Sequence, residues 1–261
     1  MALWTPADTT EALWLDGADS STVTLVSSAV SQWNDKSGNG RHVSQATFTA
    51  SRPTYLTAGF GGLNCLDFDG GDFLSSTSGV TGGTYAENFN VYWVASRDAA
   101  AGGAIITERL TSLVGASMWF LQFISSDGAN VSSNHAIGAT DYGNLSTGGG
   151  LVSHFHLPGL RDQLWLNGAS VTVTSGTASN ITGSAGFVIG RREGNFQFWD
   201  GKICEIIVVT TSQTTTQRQQ FEGYLAWKWG LQGNLPVGHP YKNGPPTKGG
   251  NAAVHFFNFG Y

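Results

Sequence analysis

The chain is written in short apolar runs that glycine and small polar residues keep cutting off. In Gly62-Leu63-Asn64-Cys65-Leu66-Asp67-Phe68-Asp69-Gly70, Leu66 and Phe68 alternate with Asp67 and Asp69 and then stop at Gly70-Gly71. That is the period of a half-buried strand running into a turn. Leu164-Trp165-Leu166-Asn167-Gly168-Ala169, with Val171-Thr172-Val173-Thr174 beyond it, predicts a hairpin closed by an Asn-Gly turn. Segments 13–15, 23–26, 186–190 and 203–210 read as further strands, and the denser runs 89–95 and 118–124 as central ones. Many short strands with no helices alternating between them predict an all-β fold, a two-sheet antiparallel sandwich or jelly roll.

Composition agrees with that reading. Of 261 residues 36 are Gly and only 12% are charged, about half the usual charged share, whereas long helices carry Glu and Lys on their wet faces. Hydrophobic residues at 40%, with 15 Phe and 9 Trp, exclude a disordered chain. The formal net charge of −5 argues against a phosphate-binding surface, so no nucleic-acid partner is expected. No run reaches the roughly 18 apolar residues of a membrane span. Residues 1–6 lack the basic and apolar regions of a signal peptide, so a soluble protein folded in a cytoplasm is expected. Cys65 and Cys204 both fall in strand segments, which predicts two buried thiols, or a single disulfide between strands.

One segment departs from the pattern. Ser212-Gln213-Thr214-Thr215-Thr216 offers N-caps, Phe221, Tyr224, Leu225 and Trp229 follow at helical spacing, and Gly230 stands as a stop. This predicts a single C-terminal helix over 214–229, closing a sandwich domain of residues 1–232. Pro236 and Pro240 forbid its continuation, and the Pro/Gly/Lys-rich stretch that follows reads as an extended linker within 233–261. It ends in an aromatic arm whose Val254, Phe256, Phe257, Phe259 and Tyr261 are too apolar to trail in water. Strand addition or groove docking onto another subunit is expected of them, in a homo-oligomer, with packing back as an extra edge strand as the alternative.

Sugars are held by an aromatic face together with planar polar groups. Two loop segments offer that mixture: Asn134 and His135 with Asp141 and Tyr142, and Arg191 and Arg192 with Asn195. Loop oxygens at Asp16, Asp19, Asn34, Asp35, Asn39, Asp127, Asn130 and Asp141 make a structural calcium ion the one cofactor worth weighing, although turn chemistry explains them equally. His154 and His156 flank Phe155 without further zinc ligands, so no metal site is assigned. There is no Gly-x-Ser-x-Gly elbow, and Gly148-Gly149-Gly150 lacks the Lys-Ser/Thr of a phosphate loop.

The order Leu13-Trp14-Leu15-Asp16, Trp33-Asn34-Asp35-Lys36-Ser37-Gly38-Asn39-Gly40, Arg52-Pro53, Leu66-Asp67-Phe68-Asp69-Gly70, Leu166-Asn167-Gly168 and Gly201-Lys202-Ile203-Cys204-Glu205-Ile206 resembles the concanavalin A-like lectin/laminin-G superfamily. The ending Glu222-Gly223-Tyr224-Leu225-Ala226-Trp227-Lys228-Trp229-Gly230-Leu231, Leu235-Pro236 and His239-Pro240-Tyr241 is similar to a variant found in structural proteins of tailed bacteriophages and in some bacterial surface proteins. The resemblance covers about residues 10–243 and implies a two-sheet antiparallel jelly roll. It does not fix a ligand, because members of the family include sugar binders, glycosidases and adhesive or structural domains; the role expected here is a non-enzymatic virion structural protein, assembled in the host cytoplasm, that decorates capsid or tail through contacts with other virion subunits, with host-surface polysaccharide as a further candidate partner. A stand-alone carbohydrate-binding module is the alternative. A glycoside hydrolase is the third reading, because catalytic relatives resemble Glu-x-Asp-x-x-Glu on one strand. Here the similar spacing is Asp67-x-Asp69-x-x-Asp72, with both Glu positions shortened to Asp and Gly70-Gly71 interrupting the strand, so no enzyme is expected.

Overall fold

A computed structural model of the protein describes residues 1–80, 84–85, 89–98, 103–110, 117–124, 130–135, 138–141, 150–156, 163–171, 181–182, 184–192 and 197–249. Its central strand, Phe89–Arg97, is buried along its whole length. Alternation sends Phe89, Val91, Trp93 and Ala95 into one apolar cluster and Tyr92 and Val94 into another on the opposite face. A strand apolar on both faces must be covered on both. A second sheet covers the first face and a helix covers the other.

The first sheet runs from Thr54–Phe60 through Leu63–Asp69, Asp200–Val209, Phe89–Arg97, Gly150–His156 and Gln163–Leu166 to Ala169–Val171, every neighbour antiparallel. Leu13–Asp16 continues along the edge of Asp200–Val209 that Leu63–Asp69 leaves vacant. The second sheet runs from Val23–Val26 through Ala29–Trp33, Val43–Ser44, Leu74–Ser76, Ser184–Ile189, Ala104–Leu110, Ser117–Ile124 and Asn130–His135 to Gly138–Asp141. Trp33, Phe68, Leu74, Trp93, Ile106, Phe187, Trp199, Ile203 and Ile206 meet in the core between the sheets. This is the expected antiparallel sandwich, with the Asn167-Gly168 turn closing the expected hairpin. Cys65 and Cys204 are free and fully buried.

The helix, Thr215–Lys228, begins at Thr214, whose hydroxyl accepts the Gln217 N–H at 3.2 Å while Gln217 Oε1 accepts the Thr214 N–H at 2.9 Å. These reciprocal bonds satisfy donors a bare helix start leaves open. Phe221, Leu225 and Ala226 pack on Tyr92, Leu151, Phe155 and Ile207. Between helix and sheet lies a buried carboxylate, Glu205, re-aimed by a bulge between Ile203 and Glu205. Glu205 accepts the indole N–H groups of Trp14 and Trp229, each at 2.7 Å, and the Tyr224 hydroxyl at 3.0 Å, and pairs with Lys228 at 2.8 Å. Lys228 also reaches Asp16 at 2.6 Å, so it neutralises two carboxylates that the register sets opposite each other. Burial raises the Glu205 carboxyl above its ordinary range, opposed by Lys228 and Trp14.

A second buried carboxylate, Glu222, takes both its oxygens to Arg218 Nη1 at 2.6 and 2.7 Å and accepts from Ser153 Oγ at 3.0 Å. His239 Nδ1 accepts the Tyr241 N–H, so its Nε2–H donates to Glu222 at 3.0 Å. This bond and the Trp227 indole donating to Tyr241 O at 2.8 Å hold the chain beyond the helix against it. Residues 233–249 therefore lie on the body: Leu235, His239 and Tyr241 are buried. Leu3 bridges Thr247, and Lys248 N–H donates to Ala2 O at 2.9 Å. Backbone donors and these side chains give the Pro/Gly-rich stretch partners that composition cannot reveal. The arm residues Val254, Phe256, Phe257, Phe259 and Tyr261 lie outside the described residues.

Removing Glu205 strips four donors of one acceptor. Glu205→Ala is expected to cost about 3–5 kcal/mol, the range for breaking a buried ion pair, read as a lower urea midpoint at unchanged m-value.

Candidate functional site

Three loops meet at one rim of the sandwich. The strand Ser184–Ile189 stops at Gly190, at φ +89°, where a Cβ would stand 2.5 Å from the Phe68 ring. Gly190 O accepts the Trp199 N–H at 2.8 Å and Trp199 O accepts the Gly70 N–H at 3.1 Å, which joins Gly190 and Trp199 to the turn at 69–73. The third loop, 45–53, is set by Gln45, whose Oε1 accepts the Phe48 N–H at 3.0 Å and whose carbonyl accepts Arg52 Nε at 2.7 Å. Phe73 N–H donates to Ser51 O at 3.1 Å and ties this loop to the turn.

The result is an aromatic platform beside guanidinium groups. Phe48 is 61% exposed and leans on Phe73, with ring centroids 6.2 Å apart. The Arg191 guanidinium stands 3.6 Å from the Phe73 centroid and 5.9 Å from that of Phe198. Stacking on a ring fixes the guanidinium plane through its face. Arg192 Nη1 reaches Gln197 Oε1 at 3.4 Å. Phe48 and Phe198 with Arg191, Arg192 and Gln197 supply the apolar face and planar donors and acceptors that a pyranose needs.

The three aspartates of the hydrolase-like spacing sit next to this rim with separate tasks. Asp67 faces Lys202 at 3.6 Å, and Lys202 in turn holds Asp98 at 2.7 Å. Asp69 Oδ1 accepts the Gly71 N–H at 2.9 Å inside the turn. Asp72 is buried, and its Oδ2 accepts the Asp69 N–H at 3.1 Å. Burial pushes its carboxyl up to about 6, with the charge of Asp69 acting in the same direction.

Of the residues expected to bind sugar, Arg191 and Arg192 stand at this rim. Asn134 and His135 pair with Ala139 and Gly138, and Asp141 with Ser132, at the far edge of the second sheet. The ladder puts three strand steps between Asn134 and the strand leading to Arg191, about 14 Å at the usual strand spacing. The two groups are therefore not one site. Tyr142 and Asn195 lie outside the described residues. Phe48, Phe73, Phe198 and Gln197 were not singled out by sequence; the one signal was Phe48, an isolated aromatic within Ala46-Thr47-Phe48-Thr49-Ala50.

The oxygen-rich loops around Asp16, Asp19 and Asp35 are occupied by their own chain, and Asp127 lies outside the described residues. Asp35 accepts the N–H groups of Trp14, Ser37 and Arg41 at 2.9–3.0 Å, and Lys36 bridges Asp16 and Asp19 at 2.9 and 2.7 Å. His154 is fully buried beside Phe89. Among the described residues no group of three or more His, Cys, Asp or Glu is arranged to hold a metal ion, and no helix is long and apolar enough to cross a membrane.

No protein-family model matches the chain, and no curated protein matches it by sequence. Solved structures do. A Trypanosoma rangeli sialidase in complex with a difluoro-KDN ligand superposes with a TM-score of 0.57 at 11% identity, over 83% of this chain and 32% of the sialidase. The binding domain of Paraclostridial Mosquitocidal Protein 1 gives 0.57 at 10% identity, over 84% of this chain and 53% of that one. A GH54 α-L-arabinofuranosidase gives 0.56 at 13% identity, over 84% of this chain and 59% of the enzyme. The chain thus spans between a third and three fifths of each of these structures. At such identities the likeness is one of fold. The class is an antiparallel two-sheet β-sandwich of the jelly-roll kind, with one C-terminal α-helix among the described residues.

A buried acid that titrates near 6 in the folded chain and near 4 in the unfolded one binds its proton more readily when folded. Stability from this group is therefore present at low pH and falls as pH rises from about 4 to 6. Asp72→Asn, which keeps the acceptor for the Asp69 N–H, is expected to gain on the parent across that window and hold a constant difference above it. Unfolding curves at several pH values check this, together with a carboxyl NMR shift near pH 6 that vanishes in Asp72→Asn.

Proposed function

We propose that this chain is a non-catalytic, glycan-binding adhesion module that works as a subunit of a bacteriophage particle. The single observation that carries the sugar reading is the rim: an exposed Phe48 on Phe73, beside an Arg191 guanidinium held by stacking and an Arg192–Gln197 pair. Lectin-like sandwiches present sugar sites on rim loops because the sheets hold such loops rigidly. Solved structures of the same fold include proteins of sugar chemistry: a sialidase and an arabinofuranosidase. A non-catalytic role is favoured because Asp67, Asp69 and Asp72 each serve a local bond, whereas retaining hydrolysis needs two carboxyl groups about 5–5.5 Å apart flanking the substrate.

The virion part of the reading rests on the resemblance of the motifs around Tyr224, Trp227, Lys228, Trp229 and His239-Pro240-Tyr241, and on the apolar arm. In this reading the subunits assemble in the host cytoplasm, residues 250–261 dock on a neighbouring subunit, and the rim meets host-surface polysaccharide.

Binding is tested on an array of bacterial and animal glycans, followed by titration calorimetry on the best ligand. Phe48→Ala should weaken binding by at least about tenfold, equivalent to about 1.4 kcal/mol, with an unchanged melting temperature because the side chain is exposed. Arg191→Ala should weaken it as well. Absence of any glycan ligand, or binding indifferent to Phe48→Ala, overturns the sugar reading.

Assembly is tested by light scattering on the full chain and on a chain ending at Gly249, which keeps the Thr247 and Lys248 contacts. An oligomer that becomes a monomer on truncation supports docking by the arm. A full chain that is monomeric, alone and with the other proteins of its particle, removes it.

A further inference from the structure

The chain has two cysteines, and folding brings them together from opposite ends of the sequence. The ladder between Leu63–Asp69 and Asp200–Val209 pairs Asp200 with Asp69 and ends by pairing Ile203 with Leu66. One further step in that register sets Cys204 opposite Cys65. Both side chains point to the helix-covered face, in the cluster containing Trp14, Trp229 and Leu225. The two thiols act on each other: the neighbouring Cys204 holds the Cys65 thiol below its ordinary range, while burial pushes the Cys204 thiol up. Their neighbours Leu66 and Ile203 are the last paired residues of this ladder; paired Cα atoms stand about 4.5–5.5 Å apart, a spacing that leaves the adjoining cysteines near the 4.4–6.8 Å that a disulfide accepts.

The position is also where the strand Asp200–Val209 changes neighbour. Pairing to Leu63–Asp69 ends at Ile203, and pairing to Leu13–Asp16 begins at Glu205. At the junction Gly17 N–H donates to Cys204 O at 2.8 Å. A Cβ on Gly17 would stand 2.7 Å from that oxygen and 3.3 Å from Cys65 Cα, so a glycine is what lets three segments converge here. Backbone pairing between the two cysteine-bearing strands stops one residue short of the thiols.

We propose that Cys65 and Cys204 are a latent disulfide, reduced in this structure, that closes on oxidation and clamps the strand Leu63–Asp69 to Asp200–Val209. The oxidant is a low-molecular-weight disulfide. The Cys65 thiolate attacks one of its sulfurs and releases a thiolate. The Cys204 thiolate then attacks the Cys65 sulfur of the mixed disulfide and releases the second, so one external disulfide is reduced to two thiols as one protein disulfide forms. Because both thiols are fully buried, the first step waits on local opening of the hairpin 54–69. Such a pair stays open in a reducing cytoplasm and closes in an oxidising medium. The inference is independent of the sugar and virion readings.

The test incubates the native full chain with oxidised glutathione. Expected are an intact mass lower by two hydrogens, a non-reduced digest containing the linked Cys65 and Cys204 peptides, and a melting temperature higher by about 5–15 °C that returns on adding dithiothreitol. Cys65→Ala and Cys204→Ala should each lose the rise, and Cys65→Ser and Cys204→Ser provide a second pair should an alanine variant fail to fold. Glutathione adducts that never resolve, intermolecular dimers, oxidation only after denaturation, or a bridged form that melts no higher than the reduced one each overturn the proposal.

Discussion

The buried carboxylate of Glu205 is the point on which the helix-bearing face of the sandwich turns. A charge with no exposure is tolerable only if its partners restore what water gave it. Here two indoles, a phenol and an ammonium group do so, drawn from Leu13–Asp16 and from the helix. The first strand, the last strand and the helix are thereby bound to one pair of oxygen atoms. Apolar packing of Phe221 and Leu225 draws the helix onto the sheet, and the directional bonds to Glu205 fix its rotation and axial position. Glu222 does the same at the other end, where Arg218, Ser153 and His239 converge. Arg218 also lies 4.1 Å from the Trp165 ring.

These two knots give the family-like motifs a physical meaning. In Tyr224-Leu225-Ala226-Trp227-Lys228-Trp229, the residues 224, 228 and 229 bond to Glu205, and 227 fastens the segment that follows. In Trp33-Asn34-Asp35-Lys36-Ser37-Gly38-Asn39-Gly40, Asp35 gathers backbone donors and Lys36 holds Asp16 and Asp19 while lying 4.5 Å from the Trp14 ring. The motifs that make the chain resemble a family thus serve the scaffold, which is why they point to a fold more firmly than to a ligand. The rim that presents Phe48 and Arg191 is built on that scaffold from three loops far apart in sequence.

Alternation within 62–70, the Asn167-Gly168 turn and the capped run 214–229 each act through near neighbours, so strands, hairpin and helix could be read from the chain. Arg191 and Arg192 were legible as a charged pair in a loop. Phe48, Phe73 and Phe198 were not, because nothing local distinguishes an aromatic that leans on a guanidinium from one that fills a core. The anchors of the stretch 233–249 were hidden for a related reason: proline and glycine describe its backbone freedom, and its partners are the distant Glu222, Trp227 and Ala2. The sequence by itself determined the all-β class, the C-terminal helix and where it starts and stops, because these follow from periodicity and capping over a few residues. Only the tertiary structure decided the Glu205 and Glu222 knots, the meeting of Cys65 with Cys204 and the composition of the rim, because each depends on groups far apart in sequence that strand register, helix docking and loop packing bring together.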